Sequence, residues 1–146
     1  MTSQIFQQKP LAPDELLGRV DPDGKVYETR LGPDKYVGRV DVDSGKIYET
    51  RLGPDKYVGH VDLGSGKIYL HKPLAADEYL GRVDPDGKCF HHRALAKDDY
   101  VGKVTEMASY AHGGAAFLLL IWPDFEKEAA ARQAAEEAKK AQGAEK

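Results

Sequence analysis

The chain has 146 residues, a length typical of one domain. It contains 21 Lys and Arg against 24 Asp and Glu, a formal net charge of −3, so it lacks the clearly positive field that non-specific nucleic-acid binding requires. We therefore expect no nucleic-acid partner. Hydrophobic residues make up 41% of the chain, too many for a disordered polypeptide. A single cysteine, Cys89, excludes an intrachain disulfide.

The first residues, Met1 to Ile5, lack a basic segment followed by an apolar run, so we expect no secretory signal. The expected location is the cytoplasm. Association with the cytoplasmic side of a membrane is an alternative that the sequence leaves open.

A short motif recurs along the first 104 residues, and its first copy is Leu17-Gly18-Arg19-Val20-Asp21. Four copies of it continue into a second run that begins with lysine. Both runs are short, rich in Val, Ile and Tyr, and bounded by turn residues, which is typical of β-strands. A period near 21 residues holds two strands and two turns, so the sequence predicts β-hairpin repeats. The recurring glycines are Gly18, Gly38, Gly59, Gly81 and Gly102.

The turn inside each hairpin predicts the pairing of its strands. The segment Asp21-Pro22-Asp23-Gly24 suits a type I turn closed by a glycine bulge. This turn places Val20 opposite Val26 in an apolar stripe, and Arg19 opposite Tyr27 on the other face. The glycine of the motif falls inside a strand, where it marks a bulge or the close approach of another part of the chain.

A leucine also recurs in the otherwise polar segments between hairpins. We expect it to pack beneath the sheet, although a surface position would cost little. The five leucines are Leu11, Leu31, Leu52, Leu74 and Leu95.

The N-terminus supplies the strand that the last repeat lacks. Residues 4–11 match a second strand, best against residues 67–74, whereas residues 100–104 form a fifth first strand with no obvious second. Pairing these ends places Val104 opposite Ile5. The prediction is a mainly β fold, a closed ring or shallow barrel of about five hairpins over residues 1–104, with no free sheet edge.

Short hairpin repeats with a Tyr-x-Gly-x-Val-Asp core, as in residues 36–41, resemble the small prokaryotic proteins called β-flowers. The resemblance covers residues 4–104 and implies a shallow symmetric barrel with hairpin petals. That barrel is in turn similar to the Tubby C-terminal domain, in which a hydrophobic helix threads the barrel. The similarity implies a role at phosphoinositides or membranes.

Residues 107–122 contain no Asp, Glu, Lys or Arg. As one helix they would span about 24 Å, less than the roughly 30 Å of a hydrocarbon layer, and Gly113-Gly114 is expected to weaken or bend that helix. We expect the apolar segment, residues 105–122, to pack on or through the barrel. Membrane insertion and an apolar patch for a protein partner are the alternatives. The candidate membrane or partner contacts are Phe117, Leu118, Leu119, Leu120, Ile121 and Trp122.

Pro123 predicts the end of the apolar run, and Asp124 can cap a new helix. Residues 125–142 are rich in Ala, Glu, Lys, Arg and Gln, which favour a helix. Since its apolar face is almost entirely alanine, we expect a solvated helical tail over residues 123–146. A partner-binding helix is the alternative.

The chain contains no phosphate-binding loop, no zinc-ligand spacing and no nucleophile motif. We therefore expect no enzymatic activity, no cofactor, no metal and no small-molecule substrate. Cys89 occupies a position of the apolar stripe and is expected to be a small buried hydrophobe. His71 and His92 are equivalent in adjacent repeats, but a metal site needs more ligands than these two.

Repeat symmetry arranges basic side chains in two rings. Five like charges around an axis can receive a phosphate or an anionic lipid headgroup, unless neighbouring carboxylates neutralise them. The candidate headgroup ring is Lys9, Arg30, Arg51, Lys72 and Arg93, and the second ring is Arg19, Arg39, His60, Arg82 and Lys103.

The sequence thus favours a non-enzymatic binding or scaffolding module that associates with a membrane surface or anionic lipid. The alternative is a subunit or adaptor that docks a protein partner through the apolar C-terminal segment and the helix.

Overall fold

The computed structural model describes residues 2–9 and 12–144. Ten strands form one closed antiparallel barrel, in which each strand pairs with its neighbours along the chain and β1 pairs with β10. The predicted fold is therefore confirmed. The strands are β1 (Ser3–Gln7), β2 (Glu15–Val20), β3 (Lys25–Glu28), β4 (Lys35–Val40), β5 (Lys46–Glu49), β6 (Lys56–Val61), β7 (Lys67–Leu70), β8 (Glu78–Val83), β9 (Lys88–His91) and β10 (Asp99–Val104).

The hairpins have the predicted register. Val20 pairs with Val26 and Arg19 with Tyr27, and Ile5 pairs with Val104 where the two ends of the barrel meet. Gly24 in the first hairpin turn has a φ of 95°, a conformation that glycine adopts without steric cost. Local turn chemistry therefore fixes the pairing within each hairpin.

A register shift interrupts the pairing at each of the five boundaries between hairpins. Between β3 and β4, for example, Val26 pairs with Gly38 and Tyr27 with Tyr36, so Val37 is the extra residue of a bulge. A bulge bends its strand and increases the local twist. Five such bends help to close short strands into a narrow ring.

The helical part of the chain passes through the barrel. It consists of α1 (Tyr110–Ala116), a π-helical segment (Phe117–Ile121) and α2 (Trp122–Ala144). Residues 111–121 are buried together with the Val, Ile and Cys side chains of the strands. The predicted packing inside the barrel is what the structure shows. The candidate contacts Phe117 to Ile121 lie in the core, and not on a surface that a membrane or a partner could contact.

Four consecutive side chains of the π-helical segment, Leu118 to Ile121, each lie against one of the recurring glycines, whereas the fifth glycine, Gly81, lies against the backbone of Phe90. A Cβ atom built on Gly59 would lie 2.9 Å from Leu118, and one on Gly38 would lie 2.9 Å from Leu119. Two further contacts continue the series. The Gly18 position would lie 2.8 Å from Leu120, and the Gly102 position 3.1 Å from Ile121. The same Cβ positions would lie only 2.0 to 2.3 Å from a carbonyl oxygen of the adjacent strand, so the glycines make room for both that strand and the helix.

Two expectations about the helical part are wrong. Gly113 and Gly114 do not bend the chain but lie within α1, where a Cβ atom would come within 2.8 Å of Val83 or 2.5 Å of Val61. They allow the helix to approach the wall closely. Asp124 does not cap a new helix after Pro123 either, because the π-helical segment, which ends with a hydrogen bond from the Trp122 N–H to the Phe117 carbonyl, continues directly into α2. This wider turn accommodates a proline that lacks an N–H.

We predict that Gly38→Val destabilises the protein by about 1 to 3 kcal/mol, because the new side chain would overlap Leu119 and the Tyr48 carbonyl. The matched control is Gly64→Val, whose nearest neighbour would lie at 3.5 Å, and it should change stability by less than about 0.5 kcal/mol. Chemical denaturation of both variants measures the difference. Equal effects of the two substitutions would contradict the close packing.

Candidate functional site

The two mouths of the barrel differ. At one mouth the hairpin turns meet the start of α1, where His112 Nε2 donates a hydrogen bond to the Pro22 carbonyl at 2.9 Å. At the other mouth α2 leaves the barrel between the five loops that join successive hairpins. We call this second mouth the exit rim, formed by residues 8–9 and 12–14 of the first loop and by loops 29–34, 50–55, 71–77 and 92–98.

The leucines of the exit rim are not beneath the sheet, which corrects the sequence-based expectation. Leu31 and Leu52 each expose 106% of the solvent-accessible area of a reference leucine, Leu74 exposes 107% and Leu95 exposes 108%, so all four are fully exposed. We call these four residues the leucine crown. Leu11, the fifth leucine of the series, lies outside the described residues.

The crown is exposed because the loops extend beyond the strand ends, where the helix already fills the interior. Gly32 and Gly53 follow two of the leucines and have φ angles of 91° and 90°. A Cβ atom built on either glycine would have no neighbouring atom within 4 Å. Leu74 and Leu95 take a positive φ themselves, 64° and 62°. Each leucine therefore stands at a loop tip that projects into solvent.

A basic residue precedes each leucine of the crown by one or two positions, in the order predicted for the headgroup ring. Three of these residues contact a nearby carboxylate: Arg30 contacts Glu28, Lys72 contacts Glu78 and Arg93 contacts Asp99, at 3.1 to 3.4 Å. The pairs are about half exposed to water, where an ion pair is weak and readily exchanged. These cations remain accessible to another anion. The fourth, Arg51, directly precedes Leu52.

The second predicted ring has a different role. Its side chains lie on the outer wall and bind the aspartate of the following loop, as Arg39 binds Asp55 at 3.2 Å. The arginines also stack on an aromatic ring, with Arg39 4.4 Å from the centre of Tyr48. This ring is therefore neutralised within the protein and is no free anion site. The loop contacts are Arg19–Asp34, Arg39–Asp55, His60–Asp77, Arg82–Asp98 and Lys103–Asp14.

We call these contacts the loop struts. They hold each loop aspartate against the wall, whereas Glu28, Glu78 and Asp99 at the strand ends contact the basic residues beside the crown. The exit rim presents apolar and basic groups at its tips although the whole chain carries a net charge of −3.

The side chains that face the helix at this mouth depart from five-fold symmetry. His91 packs against Trp122 and Phe125, with ring centres 4.8 and 5.3 Å apart, and burial lowers the pKa of His91. Gln7 donates a hydrogen bond to Glu128 at 3.2 Å. The five equivalent positions are Gln7, Glu28, Glu49, Leu70 and His91, and their variation is a sequence signal that could have indicated an asymmetric neighbour.

These contacts tie α2 to one sector of the exit rim. Lys9 binds both Glu15 and Glu128, and the Glu128 carboxylate that accepts its hydrogen bond raises the pKa of Lys9. Phe125, Glu128 and the first rim loop enclose a groove of about 490 Å³. The first two turns of α2 therefore lean on the first loop, whereas residues 130–141 are exposed.

The described residues offer little else for chemistry. Cys89 is fully buried, and burial raises the pKa of its thiol far above the usual range. In residues 2–9 and 12–144, no three His, Cys, Asp or Glu side chains are arranged to hold a metal ion. No helix in the same part of the chain combines the length and the apolar character needed to cross a bilayer.

Comparison of the chain with protein-family models, with curated proteins and with solved structures finds no match. What the structure shows is the closed antiparallel barrel of hairpin repeats.

We predict that Cys89 in the native protein reacts with a thiol reagent only at the rate of unfolding, because its sulfur is enclosed and the thiolate is disfavoured. A colorimetric thiol assay in buffer and in denaturant measures this. Rapid stoichiometric reaction in buffer would show that the wall of the barrel opens at β9.

Proposed function

We propose that the protein is a non-enzymatic β-barrel module that docks peripherally on an anionic membrane surface through the exit rim. The observation that carries the proposal is the leucine crown. Single exposed leucines are ordinary on protein surfaces, but four at equivalent loop tips on one mouth form a repeated apolar feature. Burial of one leucine side chain contributes about 1.5 to 3 kcal/mol, so four can supply a useful affinity.

The basic residues beside the crown support an anionic surface over a neutral one. Each Lys or Arg held near such a membrane contributes about 1 kcal/mol, and the attraction falls off within a Debye length. Arg30 and Arg51 directly precede their leucines, so both groups would reach the surface together. The loop struts support the same orientation, because they keep Asp34 and Asp55 back against the wall.

The position of α2 is compatible with this orientation. Its first turns lean on the first loop, and the loops that carry the crown occupy the other four sectors of the exit rim. The exposed part of α2 carries Arg132, Glu136 and Lys140 among alanines, without an apolar face that would enter hydrocarbon. We place this part in the headgroup layer or in water beside the barrel.

We predict that Leu52→Gln weakens binding to phosphatidylserine-containing vesicles about tenfold, which is the effect of losing roughly 1.4 kcal/mol of apolar burial. Leu63→Gln is the matched control, because Leu63 is 38% exposed and lies in a hairpin turn at the opposite mouth. Vesicle flotation measures both. Equal losses for the two variants would contradict docking through the exit rim.

Two further variants separate the possible binding elements. Arg51→Gln should weaken binding to anionic vesicles about fivefold and leave any binding to neutral phosphatidylcholine vesicles unchanged.

Removal of residues 134–146 should leave vesicle binding intact. Loss of vesicle binding on that truncation would identify α2, and not the exit rim, as the element that contacts the membrane.

A further inference from the structure

The groove between the start of α2 and the first loop of the exit rim has a buried polar end. Its volume of about 490 Å³ is within the range of small-molecule binding sites. The apolar side chains of Val101, Phe125 and Ala131 contribute to its wall. Gln7 and Arg132 also line it, and Gln7 is 1% exposed whereas Arg132 is exposed to solvent. The groove therefore joins a buried amide to an exposed cation.

The buried amide of Gln7 has an acceptor without a donor. Its Nε2 donates a hydrogen bond to the Glu128 carboxylate at 3.2 Å. Because an ionised carboxylate only accepts hydrogen bonds, this contact fixes the orientation of the amide and identifies its other terminal atom as Oε1. Among residues 2–9 and 12–144, no group donates a hydrogen bond to Gln7 Oε1, which is itself buried. An unpaired buried acceptor is unfavourable, so this atom favours a ligand that carries a donor.

The repeats show that the barrel does not require a polar side chain at this position. Leu70 occupies the equivalent position of another hairpin, and Gln7 is the buried member of the five equivalent residues. His91 Nδ1 is a second buried atom without a partner among the described residues, but His91 does not line the groove. The unpaired oxygen of Gln7 is therefore a property of the groove and not of the strand position.

The exposed end of the groove favours an anion. Lys9 is held by the carboxylates of Glu15 and Glu128, whereas Arg132 lies one helical turn beyond Glu128 at the edge of the groove. A guanidinium group binds a carboxylate through two parallel hydrogen bonds. The seven residues from Phe125 to Arg132 correspond to a rise of about 10 Å along α2, which is comparable to an alkyl chain of medium length.

We propose that this groove binds a linear amphiphile from solution, a medium-chain acid with a hydroxyl group at its far end. The hydroxyl donates a hydrogen bond to Gln7 Oε1, the alkyl chain packs against Phe125 and Val101, and the carboxylate binds Arg132. This site is separate from the leucine crown, and it does not depend on membrane docking.

Two probes that differ by one hydroxyl group test the buried end. Binding of ω-hydroxydecanoate and of decanoate to the full-length protein is measured by equilibrium dialysis, below the concentration at which either acid forms micelles. The natural protein should bind ω-hydroxydecanoate about fivefold more tightly than decanoate, because only the first can donate to Gln7 Oε1. Equal affinities, or no binding of either acid, would overturn the proposal.

Substitutions at the two ends should separate their roles. Gln7→Met keeps an unbranched side chain and removes the acceptor, so the preference for ω-hydroxydecanoate should disappear. Arg132→Gln should weaken binding of both acids about threefold and keep the preference, since an exposed ion pair contributes little. Lys140→Gln, two turns further along α2, is the matched control and should change neither affinity. A preference that persists in Gln7→Met would contradict the assigned contact.

The leucine crown is tested as a competing location for the probes. Leu52→Gln removes an apolar side chain from the crown and leaves the groove intact, so both acids should bind this variant with unchanged affinity. Weaker binding of both acids to Leu52→Gln would place them on the crown and overturn the assignment to the groove. Vesicle binding by the same variants is a separate measurement, and its outcome decides the proposed function alone.

Discussion

The barrel depends on the contact between its recurring glycines and the side chains of the π-helical segment. Ten short strands enclose a space that their own Val, Ile and Cys side chains do not fill. A π-helix winds more loosely than the about 3.6 residues per turn of an α-helix, so Leu118, Leu119, Leu120 and Ile121 point in turn to four different hairpins. Each of these side chains meets a glycine, where any larger residue would overlap both the helix side chain and the carbonyl of the adjacent strand.

An asymmetric helix in a nearly symmetric barrel explains where the repeats diverge. Strand positions that line the barrel around α1 keep their apolar residues from hairpin to hairpin, as Val61 and Val83 do, whereas the equivalent positions at the exit rim vary and include Gln7, Leu70 and His91. The same helix decides the chemistry of the exit rim. Because Trp122 and Phe125 occupy the mouth, the loop leucines have no interior to enter and remain at the tips.

Hairpins, register and ring closure could be predicted from the sequence, because they follow from local turn chemistry and from an N-terminal copy of the second strand. The orientation of the leucines could not, since it depends on how far the helix extends through the barrel. The continuous helix through Pro123 was also beyond reach, because Pro123 followed by Asp124 is typical of a helix start, whereas the π-helical segment runs directly into α2. For the exit rim, the sequence supplied the cations and leucines but placed the leucines on the wrong side.

The central claim is that consecutive residues of the π-helical segment meet the glycines of successive hairpins. Nuclear Overhauser effects between leucine methyl groups and glycine Hα atoms test it most directly. The account predicts contacts of Leu118 with Gly59, Leu119 with Gly38 and Leu120 with Gly18, each leucine with its own glycine. Contacts of one leucine with several of these glycines, or with none, would contradict it.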